Sequence, residues 1–169
     1  MNELSLFLTH AVALEDESAE RYEDLADNMQ MHHNPEVAEL FRKMAHYSRL
    51  HRQEAVGLAE RETGGLLDLN PWEFQWQGRE SPESGDIDAT HYLMTPYHAL
   101  SLALDAERRA RDFYADVAAR TTNERVRELA HGFAGEEAEH ATILEQWLQR
   151  YPPPEPGWDE DPDPPTAAD

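Results

Sequence analysis

Apolar residues recur in alternating steps of four and three along four stretches of the chain, the spacing that lines one face of an α-helix. The first stripe reads Leu4, Leu8, Ala11, Glu15, Ser18, Tyr22, Leu25, Met29, and the second Val37, Phe41, Met44, Ser48, His51, Ala55, Leu58. The third reads Leu93, Tyr97, Leu100, Leu104, Glu107, Ala110, Tyr114, Val117, and the fourth Val126, Ala130, Phe133, Glu137, His140, Leu144, Trp147, Tyr151. The pattern predicts helices over residues 3–30, 35–62, 93–120 and 123–150, an all-α bundle of two hairpins.

Each stripe is interrupted near its middle by a polar group: Glu15, His51, Glu107, and the pair Glu137 and His140, three residues apart. An ionised carboxylate in a core stripe costs several kcal/mol unless it is paired or ligates a metal. Taken singly, His51 reads as a satisfied core histidine, and Glu15 or Glu107 as the partner of Arg21, Arg108 or Arg109. Those arginines fall off the stripes, however, and four coincident interruptions are better explained by a shared metal site. His10, His32, His33, His46, His91, His98 and His131 show no such placement and are read as surface or loop residues; Glu20, Glu23, Glu136 and Glu139 are read as a solvated face.

The two halves repeat. Glu15 and Tyr22 map onto Glu107 and Tyr114 by one common offset, and His51 maps onto His140 by a similar one, so each half is a copy of one helical hairpin. Residues 63–92 join them. Gly64-Gly65, Asn70-Pro71, Ser81-Pro82 and Gly85-Asp86 break helix there, while Trp72, Phe74 and Trp76 offer side chains for packing, which predicts a crossover along the bundle.

With Glu15 on helix 1, Glu107 on helix 3 and Glu137-x-x-His140 on helix 4, the chain resembles the rubrerythrin branch of the ferritin-like di-iron carboxylate proteins. The runs Ala103-Leu104-Asp105-Ala106-Glu107 and Glu136-Glu137-Ala138-Glu139-His140 are especially similar to that branch, and the likeness covers most of residues 4–150. The resemblance implies a ferritin-like four-helix bundle binding two iron ions, with zinc or manganese as substitutes. It implies Glu15, His51, Glu107, Glu137 and His140 as metal ligands, and Tyr22 and Tyr114 as residues reaching the ligand carboxylates. It further implies Fe(II), dioxygen or hydrogen peroxide as reactants and an oxidoreductase activity of ferroxidase or peroxidase type.

One position departs from that pattern. Family members carry Glu three residues before the helix 2 histidine, where this chain has Ser48, a poor ligand for iron. Glu54, one turn beyond His51, is the alternative donor. The departure sets a second expectation beside the first: a non-catalytic metal-binding or structural bundle that acts through its surface and acidic tail.

Composition narrows the partners. The chain has no cysteine, which excludes disulfides, thiolate zinc sites and a rubredoxin module, so electrons are expected from a separate donor. A net charge of −21 argues against nucleic-acid binding, which rests on Lys and Arg neutralising phosphates. Met1-Asn2-Glu3 lacks the basic start of a signal peptide, and no apolar run is long enough for a membrane span, so a cytoplasmic location and no membrane partner are expected. Residues 152–169 are rich in Pro and Asp and are expected to form a disordered tail; a homodimer formed by packed hairpins is expected for the bundle at 1–151.

Overall fold

The computed structural model describes residues 2–69 and 94–153. Four helices occupy them: α1 (Glu3–Met31), α2 (Pro35–Thr63), α3 (Pro96–Arg120) and α4 (Glu124–Leu148). There is no strand among the described residues. α1 packs along α2 and α3 along α4, and the two hairpins meet chiefly through α1. The architecture is the all-α, ferritin-like bundle that the stripes and the resemblance predict. The crossover's Trp72, Phe74 and Trp76, and the tail beyond Pro153, lie outside the described residues.

Short polar residues set where the helices start. Asn2 caps α1 by accepting from the backbone N–H groups of Leu4 and Ser5, and Asn123 caps α4 by accepting from Val126. α3 begins at Pro96, later than residue 93, because Thr95 accepts from the His98 N–H at 3.1 Å and Pro96 supplies a pre-set φ at the first helical position. α1 closes in a Schellman turn, with the His33 N–H bonded to the Gln30 carbonyl and the Asn34 N–H to that of Met29. His33 takes the left-handed position at φ 63°, a place usually given to glycine. α2 stops at Gly64, whose φ of 89° suits a residue without Cβ. Past it, the Leu67 N–H donates to the Thr9 hydroxyl at 3.0 Å and holds the start of the crossover against α1.

The core is divided. One apolar cluster gathers Leu25, Met29, Phe41, Met44, Leu100, Leu104 and Leu144; the other gathers Leu4, Phe7, Leu8, Leu14, Leu58, Phe113, Val126 and Phe133. Each large side chain buried there contributes about 1.5–3 kcal/mol. Between the clusters lies a layer of buried polar residues: Glu15, Ser18, Ser48, Glu107, Glu137 and His140. Apolar walls close that layer above and below.

Candidate metal centre

All four helices send a side chain into the polar layer: Glu15 from α1, His51 from α2, Glu107 from α3, and both Glu137 and His140 from α4, where a three-residue step puts them on one face. They form two donor groups. Glu15, His51 and Glu137 make one and Glu107, Glu137 and His140 the other, the donor atoms within each group lying no more than 4.8 Å apart. Glu137 belongs to both. His51 Nδ1 stands 3.6 Å from Glu15 Oε1, and His140 Nδ1 stands 3.5 Å from Glu107 Oε2 and 3.7 Å from Glu137 Oε2. The imidazoles stack, with ring centroids 5.3 Å apart, and the outer face of His140 lies against Tyr47 at 5.8 Å.

Three carboxylates are thus buried together, Glu15 at 6 %, Glu107 at 1 % and Glu137 at 3 % exposure. Arg108, adjacent in sequence to Glu107, is committed to Glu145 on the surface instead. Burial pushes the Glu107 carboxyl upward, but contacts with Glu137 and His140 and the Tyr22 hydroxyl, which donates to Glu107 Oε1 at 2.6 Å, hold it below the usual carboxylate range. Glu107 Oε2 is buried and accepts no hydrogen bond. A lone pair left so, in a layer of mixed carboxylate oxygen and imidazole nitrogen donors without thiolate, fits iron, manganese or zinc. A pair of divalent cations would also supply the positive charge that the three carboxylates need.

Burial lowers the proton affinity of His51, yet Glu15, Glu136 and Glu54 together raise it above its ordinary value. Glu136 is the residue the stripes did not single out. Its Oε2 stands 3.3 Å from His51 Nε2, and burial, only partly opposed by His51, raises its carboxyl. It places a carboxylate behind the ring nitrogen that faces away from Glu15, the arrangement that fixes the orientation and tautomer of a ligating histidine. The sequence reading put Glu136 on a solvated face; it is half-buried because α4 packs it against His51 of α2, which no single stripe encodes. Glu54 is exposed and outside both donor groups, acting on His51 only through its charge.

Ser48 is buried, and its hydroxyl bonds that of Ser18 at 2.7 Å. Tyr114 packs edge-on against Phe7, Phe113 and Phe133 in the apolar cluster below the layer. His10 corrects the sequence reading: it is 6 % exposed on α1, and burial lowers it to about 4. It lines a cavity of about 450 Å³ with Glu3, Phe7, Asp116 and Arg120 at the far end of the bundle. A second cavity, of about 280 Å³, opens over the two histidines between α2 and α4 and is lined by Tyr47, Leu50, His51, Glu139, His140 and Ile143.

The chain matches the rubrerythrin family model over residues 7–77, which takes in α1, α2 and with them Glu15 and His51. A solved structure of an uncharacterised conserved protein from Magnetospirillum magnetotacticum is similar at 40% identity and a TM-score of 0.75. The match covers 90% of this chain and 98% of that one. No curated protein matches the chain.

Proposed function

Because this chain belongs to the rubrerythrin family, we propose that it is a non-haem di-iron protein that oxidises Fe(II) or reduces hydrogen peroxide or dioxygen. The observation that carries this reading is the pair of donor groups sharing Glu137. One carboxylate common to two groups sets the spacing of two cations. Two Fe(II) ions held by these residues would supply two electrons, each passing to Fe(III), enough with two protons to take hydrogen peroxide to water or dioxygen to peroxide.

The chain's own residues have separable tasks in this scheme. Glu15 and His51 would hold one cation and Glu107 and His140 the other, with Glu137 common to the two donor groups. Tyr22 fixes one oxygen of Glu107, so Oε2 is the oxygen that would be available to a metal. Glu136 holds the His51 ring through Nε2, so that Nδ1, on the Glu15 side, would be the ligating atom. The apolar clusters bound the layer above and below, and the cavity over the histidines gives peroxide or dioxygen a route to it. Fe(II) itself is a second substrate, drawn to a strongly acidic chain. Electrons for repeated turnover come from a separate donor, and the working form is a cytoplasmic homodimer. No helix of the described residues is long and apolar enough to cross a membrane.

The Ser18–Ser48 pair favours a second reading, in which the site binds metal without turning over, because the α2 hairpin offers one carboxylate fewer than the α4 hairpin. Adding Fe(II) to metal-free protein under dioxygen, or with limiting peroxide, separates the two. Consumption of Fe(II) and oxidant well above the protein-free rate supports catalysis. Tight Fe(II) binding at the protein-free rate of oxidation supports the second reading.

A further inference from the structure

The offset that carries His51 onto His140 also carries Ser48 onto Glu137, so the internal repeat itself marks the position where the polar layer lacks a carboxylate. Ser48 and Ser18 are 2 % and 4 % exposed and bond each other at 2.7 Å. Two hydroxyls joined by one hydrogen bond use one hydroxyl hydrogen and leave the second free to donate. That donor is in the layer: Ser48 is one turn before His51 on α2, and Ser18 lies on the α1 stripe between Glu15 and Tyr22, both of which reach the donor groups.

We propose that a small monocarboxylate from solution, of formate or acetate size, completes this donor set and accepts a hydrogen bond from the Ser18–Ser48 pair. This rests on the two-metal reading above. The serine hydroxyl stands where a glutamate would have its second methylene, so what the position lacks is the carboxylate itself, the group a small free acid carries. The cavity lined by Tyr47, Leu50, His51, His140 and Ile143 brings solvent to the two histidines of the donor groups, the side from which a small acid would enter. The chain is then a di-metal protein whose metal affinity depends on a free carboxylate.

The test is a titration of the full, metal-stripped chain with Mn(II), in carboxylate-free buffer and again with millimolar acetate, chloride serving as the control at equal ionic strength. Acetate is expected to tighten Mn(II) binding roughly tenfold or more, the worth of a charge-assisted hydrogen bond and a completed donor set. Ser48→Ala with Ser18→Ala is expected to lose most of that acetate effect. Ser48→Glu, which supplies the carboxylate covalently, is expected to bind Mn(II) tightly without acetate and to gain nothing from it. An isotherm that acetate leaves unchanged relative to chloride overturns the proposal, as does a Ser48→Glu chain that still responds like the wild type. Two Mn(II) bound with acetate-independent affinity overturn the anion site alone; no Mn(II) bound in any buffer removes the two-metal reading with it.

Discussion

Glu137 is the residue on which the centre turns, because both donor groups include it while every other donor serves one. Its replacement therefore has opposite consequences with and without metal. Glu137→Gln removes one of three crowded buried carboxylates, so the metal-free protein is expected to be more stable than wild type by about 1 kcal/mol. The same variant is expected to lose both metal ions, and thermal unfolding with and without added Mn(II) reads both effects. Glu136→Gln keeps the size of the side chain and weakens its hold on His51 Nε2; a loss of about 10–100-fold in metal affinity is expected, measured by competition with a chelator. His10 provides a pH signature away from the centre. Its value falls from 6.5 to about 4 on folding, so the unfolded chain binds this proton first, and stability present above pH 6.5 is lost as pH drops toward 4. In His10→Gln that acid loss is expected to be shallower, seen as a smaller fall in Tm of the metal-free protein across the same window. The stripes made Glu15, His51, Glu107, Glu137 and His140 legible because burial of charge at helical spacing is a sequence property. Glu136 and His10 were not legible, since their burial depends on how α4 approaches α2 and how the end of α3 covers α1, which no single helix encodes.

At the scale of elements, helices were legible and their ends were less so. Periodicity sets the body of a helix, but a cap is a local competition, and Thr95-Pro96 decided the start of α3 against a stripe that ran back to Leu93. The turn between α1 and α2 holds a residue in an unfavourable conformation: His33 is exposed and left-handed, which costs a residue with a Cβ about 1 kcal/mol. His33→Gly is expected to stabilise the protein by up to about 1 kcal/mol, less the entropy glycine adds to the unfolded chain. Chemical denaturation measures it, and an unchanged midpoint would mean that the loop relaxes around His33. Ion pairs across the helices, such as Arg52 with Asp16 at 2.6 Å and Arg125 with Glu62 at 2.6 Å, lie at the surface, where solvent screens them.

For the molecule as a whole, two apolar clusters enclose a polar layer that gathers the candidate metal ligands. The repeat of the hairpin explains why the layer has near-symmetric donors, and Ser48 opposite Glu137 explains why that symmetry is incomplete. A layer of buried carboxylates is a site of net repulsion until cations enter, so folding and metal binding are linked, and saturating metal is expected to raise Tm in proportion to the logarithm of its free concentration. The most direct test of the centre is the number of ions it holds. Anaerobic titration of the metal-free chain with Fe(II), read as bound iron per chain, is expected to give two for the wild type and one for Glu15→Ala. A wild-type value of one or none, or a Glu15→Ala value equal to the wild type, would contradict a pair of cations held around Glu137.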